Sequence, residues 1–185
     1  MDQILKYHSW NANGIVGLID PHMVKMNKMF TNVWKDADLV FIQETKLHPS
    51  KVDNVKALAG KFGYEFMFND SEFGVTPNWM NYGVGLFFKK GLSVTKIEKL
   101  PSECPVKNPA RIMAIKVDTP LFAKGIYFVN LYLPVNHQPD PSGTRTLERE
   151  NWVRTLDVLS DKLRDKGAIY VGDFNAMQRN NTLVP

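Results

Sequence analysis

Three short apolar runs in this chain each stop at a polar cluster, and that repetition constrains the fold more than any other feature. Residues 4–10 run into Asn11 and Asn13-Gly14. Residues 39–43 end at Gln43-Glu44. Residues 168–171 lead into Gly172-Asp173-Phe174-Asn175. A short apolar run bounded by turn residues reads as a buried strand. Polar side chains at the ends of packed strands are presented by a rigid scaffold, so the three clusters are expected to converge on one rim of a sheet.

The segments between these strands supply the covering layers. Met26, Met29, Phe30, Val33 and Trp34 recur at helical spacing, so residues 22–35 read as an amphipathic helix with its Met stripe toward the core. Val52, Val55, Leu58 and Ala59 mark a second helix over residues 51–61, closed by Gly60, and residues 64–68 form a third strand. Up to there the order is β-α-β-α-β. Residues 83–89, 94–100, 111–117 and 126–133 then read as consecutive strands, punctuated by Gly91, Pro101, Pro105, Pro109 and Pro120. Their short connections favour antiparallel pairing. Trp152, Leu156, Leu159 and Leu163 place a core stripe on a long helix, capped by Thr144 or Thr146 and ended by Gly167. The fold class is α/β with much antiparallel sheet.

Composition narrows the function classes. The 185 residues are 44% hydrophobic, enough for a real core, and fit one domain. Net charge is +4, which permits an anionic partner such as DNA without demanding one. Cys104 is the only cysteine, so the sequence offers no internal disulfide and no Cys-based zinc site. No run approaches the roughly 18 apolar residues of a membrane span. Asp2, Lys6 and His8 make the first ten residues unlike a signal peptide. An intracellular protein, nuclear or cytoplasmic, with no membrane partner is the expectation.

Carboxylates and amides held together on a sheet rim suit Mg²⁺ or Mn²⁺, which take hard oxygen ligands and keep several waters. Such an ion polarises a phosphoryl oxygen and lowers the pKa of water. Each member also has a plain reading: Asn13-Gly14 as a turn, Glu44 as the start of a solvated loop, Asp173 as a strand-end cap. Three independent strand ends would have to share the same accident for all of these to hold. Other polar residues carry less. His8, His22 and His48 show no metal-ligand spacing, and His137 lies in a Pro-rich loop. Residues 73–79, rich in Asn and aromatics, read first as a folded-back surface loop and second as a base-stacking surface. Lys89, Lys90 and Lys96 read as solvated strand ends before phosphate contacts.

Five segments, in order, resemble the endonuclease/exonuclease/phosphatase superfamily with its DNase I-like fold. They are Ser9-Trp10-Asn11-Ala12-Asn13-Gly14-Ile15, Phe41-Ile42-Gln43-Glu44-Thr45-Lys46, Tyr82-Gly83-Val84-Gly85-Leu86, Asn130-Leu131-Tyr132-Leu133-Pro134 and Gly172-Asp173-Phe174-Asn175-Ala176. Gln-Glu-Thr-Lys, and Tyr132 in place of a His, are similar to exonuclease III-type apurinic/apyrimidinic endonucleases and to LINE-type retrotransposon endonucleases. The resemblance implies a four-layer αββα sandwich. It implies that Glu44, with Asn11 nearby, ligates the metal, and that Asp173 orients or deprotonates the attacking water. It further implies that Asn175 and Tyr132 engage the scissile phosphate or leaving group, that Asn13 tunes the metal shell, and that Arg111 contacts substrate.

The family pattern continues past Gly-Asp-Phe-Asn with further strands and a Ser-Asp-His motif, which this sequence does not contain. Residues 1–185 are therefore expected to form one DNase I-like domain lacking the C-terminal part of the fold. A partner or further segment is expected to cover the open sheet edge. The function implied is a Mg²⁺-dependent phosphodiesterase or endonuclease acting on DNA. The alternatives are a catalytically incomplete module that binds without cutting, and a phosphatase of lipids or small phosphoesters.

Overall fold

A computed structural model of the chain describes residues 4–15, 24–69, 83–97, 100–106, 109–134 and 143–175. His22, residues 73–79, Tyr82 and His137 lie outside the described residues. Among the described residues eight strands form two four-stranded sheets. The first sheet holds β1 (Tyr7–Asn11), β2 (Leu39–Gln43), β3 (Tyr64–Phe68) and β4 (Gly85–Lys89) in the order β1-β2-β4-β3. The second holds β5 (Ser93–Lys96), β6 (Ile112–Thr119), β7 (Phe122–Tyr132) and β8 (Ala168–Asp173) in sequence order. Both sheets are mixed: β1 runs parallel to β2 and β8 parallel to β7, while every other pairing is antiparallel.

Three apolar clusters show how the layers stack. Strand β2 is buried at every position because it is covered on both faces. Its Val40 and Ile42 point outward, joining Met26, Phe30 and Trp34 of the first helical segment and Val55 and Ala59 of α2 (Val52–Lys61). Its Leu39 and Phe41 point inward and meet Met113, Ile115, Val117 and Phe128 of the second sheet. On the far side, Ile112, Ala114, Val129 and Leu131 pack against Trp152, Leu159 and Leu163 of α3 (Thr144–Leu163). Alternate residues of a strand serve opposite faces, so β2 and β6 each hold two layers together. The result is a helix–sheet–sheet–helix sandwich. Full burial of a side chain such as Phe41 or Phe128 contributes roughly 2–3 kcal/mol.

The structure refines several expectations. The 22–35 helix is α-helical as α1 (Val24–Lys28), then widens into a π turn, Met29–Val33. There the Trp34 N–H donates to the Met29 carbonyl at 2.8 Å, five residues back. Met26, Phe30 and Trp34 stay buried, but the wider turn carries Val33 off the core face, where it is 49% exposed. The Tyr64 hydroxyl donates to the carbonyls of Trp34 and Ala37 (2.6 and 2.7 Å), satisfying the helix end. Gly60 does not close α2. The helix runs to Lys61, and Gly63, with φ +79°, takes the left-handed position that follows. At α3 the cap position belongs to Gly143, φ +67°, rather than to Thr144 or Thr146. Gly167 ends the helical region as expected, after a 3-10 turn. Strand β5 is shorter than expected. Strand β7 starts earlier, because Pro120-Leu121 turn a tight hairpin in which Thr119 faces Phe122.

Among the described residues no helix is long and apolar enough to cross a membrane.

Candidate active site

The register of the two parallel pairs brings the polar strand ends together. Asn11, the last residue of β1, faces Gln43, the last residue of β2, and Glu44 follows at once. Tyr132, the last residue of β7, faces Asp173, the last residue of β8. The two sheets therefore present their polar ends on one rim. Asn11 closes the gap between them: its amide nitrogen donates to Glu44 Oε1 at 2.9 Å and to Asp173 Oδ2 at 2.8 Å. One primary amide has two hydrogens, and here each holds a carboxylate from a different sheet. The Asn11 carbonyl oxygen accepts the backbone N–H of Asn13 at 3.0 Å, which fixes the loop beyond β1.

Backbone strain is concentrated at this rim. The non-glycine residues with positive φ are Asn13 (46°), Glu44 (49°), Lys46 (44°) and Asn175 (45°) among the described residues. A left-handed conformation costs a Glu or Lys roughly 1–2 kcal/mol. It persists because the loop is held from several sides. Gly14 and Ile15 donate backbone N–H groups to the carbonyls of Glu44 and Thr45, each at 2.8 Å, and the buried Thr45 donates its N–H and its hydroxyl to the Gly83 carbonyl (2.9 and 3.1 Å). Gly172 is obligatory for another reason. It has φ +135°, and a Cβ there would lie 2.0 Å from the Leu131 carbonyl oxygen. Only glycine lets β8 approach β7 closely enough to set Asp173 beside Tyr132.

The electrostatics follow from these contacts. Burial works to raise the Glu44 carboxyl. Hydrogen bonds from Asn11, Tyr132 and Lys46, with the Lys46 charge, outweigh it and hold the group below the ordinary glutamate value of 4.5. Glu44 is thus an anion. Tyr132 moves the other way: burial, then its hydrogen bond to Glu44 and that carboxylate's charge, push its hydroxyl well above the usual tyrosine range. It is a neutral donor at physiological pH. The Arg111 guanidinium lies 5.0 Å from the centroid of the Tyr132 ring, a cation–π contact that leaves a positive charge at the rim. Asn175 donates its backbone N–H to Asp173 Oδ1 (2.9 Å) and its side-chain amide to the Leu133 carbonyl (2.6 Å), and it hydrogen-bonds the Tyr132 hydroxyl.

The seven residues singled out in the sequence, Asn11, Asn13, Glu44, Arg111, Tyr132, Asp173 and Asn175, thus meet on one rim. Other members were not singled out. Lys46 reaches back so that its ammonium lies 3.3 Å from Glu44 Oε2 and donates to Asn13 Oδ1. Asn130, fully buried on the inner face of β7, crosses between the sheets. It donates to the carbonyls of Ile42 (3.2 Å) and Gly85 (3.0 Å) and accepts from Gln43 Nε2 (2.8 Å). Arg149 of α3 donates to the carbonyls of Pro134 and Asn175 at 3.4 Å, tying together the segments that leave β7 and β8. A lone Asn inside the apolar run of β7 was a legible signal. Nothing in the sequence marked Arg149.

The donor set fits a hard divalent cation. Glu44 and Asp173 supply carboxylates and Asn13 supplies an amide oxygen. The Asn11 amide oxygen keeps one lone pair beyond the one that accepts the Asn13 N–H, and a cation, the Lys46 ammonium, already rests on Glu44 Oε2 and Asn13 Oδ1. Among the described residues no three His, Cys, Asp or Glu side chains cluster as a metal cage. Mg²⁺ is commonly held by one or two carboxylates and keeps waters and substrate oxygens in its shell.

Solved structures share this fold. AP endonuclease LMAP from Leishmania major superposes with a TM-score of 0.62 at 23% identity, over 95% of this chain and 56% of that one. The Xenopus laevis APE2 catalytic domain gives a TM-score of 0.56 at 18% identity, over 92% and 58%. D. rerio TDP2 complexed with single-strand DNA product gives 0.54 at 19% identity, over 96% and 63%. The chain therefore spans less than two thirds of each of these neighbours. No curated protein matches the sequence. The family model described as Endonuclease/Exonuclease/phosphatase family matches residues 8–183, which takes in β1 from His8 onward, all of β2 to β8 and all seven rim residues. With nearly its whole length matched and its fold shared, the chain belongs to the endonuclease/exonuclease/phosphatase family.

Proposed function

We propose that this protein is a Mg²⁺-dependent phosphodiester hydrolase acting on DNA, of the exonuclease III or LINE-type retrotransposon endonuclease branch. The observation that carries the reading is the single Asn11 amide that joins Glu44 of one sheet to Asp173 of the other, beside the neutral Tyr132 hydroxyl. Gln43-Glu44-Thr45-Lys46 and Tyr132 support the branch, and the neighbour solved with single-strand DNA product supports the substrate class.

Glu44, with Asn11 and Asn13, would hold the ion, which supplies charge neutralisation at the phosphoryl oxygens. The protein's own groups divide the remaining work. Asp173, oriented by Asn11 and by the Asn175 N–H, accepts the proton of the attacking water. The water oxygen forms the new bond to phosphorus as the bond to the leaving oxygen breaks in line. Tyr132, kept protonated by its surroundings, donates a hydrogen bond to the phosphate or leaving oxygen. Arg111 stands against the Tyr132 ring where it meets an anionic substrate. Asn175, whose amide is engaged with Leu133 and Tyr132 here, reaches the phosphate by turning one of those hydrogens toward it. Charge stabilisation is the main catalytic contribution.

Supercoiled plasmid tests the reading in the protein's complete reading frame. Nicking should require Mg²⁺ or Mn²⁺, stop with EDTA, and fall by about 10²–10⁴ in Asp173→Asn. Nicking that survives Glu44→Gln or Asp173→Asn would overturn the assignment. A second reading is a module that binds without cutting. DNA binding without nicking at any metal concentration would select it. Release of phosphate from small phosphoesters or lipids, with DNA untouched, would select a phosphatase.

A further inference from the structure

Lys46 is placed unlike an ordinary surface lysine. It sits two residues past Glu44, and both residues have left-handed backbones, φ 49° and 44°. Its side chain is only 26% exposed. The stem lies over Gly14, where a Cβ would come within 3.6 Å of Lys46 Cδ. The ammonium is folded back onto Glu44 Oε2 and Asn13 Oδ1. These are two of the hard oxygens that the proposed function assigns to the divalent ion. An ammonium and a divalent cation repel each other and compete for the same lone pairs.

We infer that Lys46 is a resident counter-cation: it occupies the Glu44–Asn13 oxygen pair when no metal is bound, and the entering divalent cation displaces it into solvent. The inference rests on the metal reading given above and adds a positioning residue to it. Lys46 keeps the Glu44 carboxylate compensated in the metal-free protein, so the strained loop holds its shape before the ion arrives. Metal affinity is correspondingly reduced. Once displaced, the ammonium sits on a flexible four-carbon stem at the rim, within reach of a substrate phosphate. It would add to the charge of Arg111, whose guanidinium lies over the Tyr132 ring.

The test is direct binding of Mn²⁺ to the protein alone, followed by electron paramagnetic resonance, in wild type, Lys46→Met, Lys46→Gln and Glu44→Gln. Each variant is first checked for a cooperative melt, and the two Lys46 variants guard against one failing to fold. Removing the ammonium should tighten Mn²⁺ binding at least about fivefold. In wild type labelled with ¹³C-lysine, the Lys46 Cε signal, assigned by its loss in Lys46→Met, should shift toward the solvated position as Mg²⁺ saturates. Unchanged or weaker Mn²⁺ binding in both Lys46 variants, or a Cε signal indifferent to saturating Mg²⁺, would overturn the inference. Glu44→Gln separates the two readings. If it abolishes binding while the Lys46 variants match wild type, only the inference fails. If it binds as wild type does, the metal assignment at Glu44 fails.

Discussion

Glu44 holds a left-handed backbone, a partly buried anionic carboxylate and contacts to Asn11, Tyr132 and Lys46 at once. Its charge stabilises the fold only where it is ionised in the native state. The folded pKa lies below the ordinary value of 4.5, so the unfolded chain takes up the proton first as pH falls. The stabilisation is fully present above 4.5 and is lost as pH falls through the lower folded value. The melting temperature of Glu44→Gln should therefore trail wild type by its full margin near about pH 7 and converge on it toward about pH 3. A gap that stays constant over that range would show that the charge contributes nothing to the fold. The place of Glu44 at the rim was legible in the sequence, because a carboxylate follows a buried strand there. The part played by Lys46 was not. Its side chain turns back only because two kinks in the loop are left-handed, and residue identity does not announce a positive φ at Lys.

At the scale of elements, β2 and β3 were legible to the residue, since largely apolar runs mark them, with the exposed Glu65 the one charged residue in β3, and turn signals bound them. Elements whose ends depend on tertiary packing were not. The π turn at Met29–Val33 places Phe30 and Trp34 against Phe87, an arrangement that local periodicity does not encode. The tie between the sheets is of the same kind. Asn130 of β7 donates its amide hydrogens to the Ile42 and Gly85 carbonyls and accepts from Gln43, which in turn exchanges hydrogen bonds with Ser9 of β1. This chain, buried at Asn130 and Gln43, links both sheets directly beneath the rim. Leaving a buried polar group unpaired costs about 1–3 kcal/mol, and Asn130→Ala would strand the Gln43 amide and open a small cavity. Urea unfolding should show a loss of about 3 kcal/mol. The metal and DNA binding proposed above should weaken as well, because the rim residues of the two sheets are no longer held in register. A loss under about 0.5 kcal/mol would mean that water replaces the amide without penalty.

At the scale of the molecule, the two sheets end together. Among the described residues β1 pairs with β2 alone and β8 with β7 alone. The Asn11–Asp173 hydrogen bond shows that these two edges lie on one flank, beside the proposed site. Strand β1 is exposed over Tyr7, His8 and Ser9, with Tyr7 packed edge-on against Phe41 and Phe128. Among the described residues no strand covers these edges, and an uncovered strand edge with apolar side chains is a template for pairing with another chain. We propose that a further segment of the fold, or a partner, adds strands to this flank. The 185-residue chain prepared alone should then self-associate with rising concentration in sedimentation. Its amides in β1 and β8 should exchange fastest among the strands, because one side of each is unpaired. Adding the further strands, in cis or as a partner, should restore a monomer and slow that exchange. If the isolated chain is monomeric at every concentration and melts cooperatively above about 45 °C, the edges need no cover and the proposal is wrong. The outcome also bears on catalysis: the rim hangs from these same two edge strands, so whatever covers them fixes the distance between Glu44 and Asp173 that the chemistry requires.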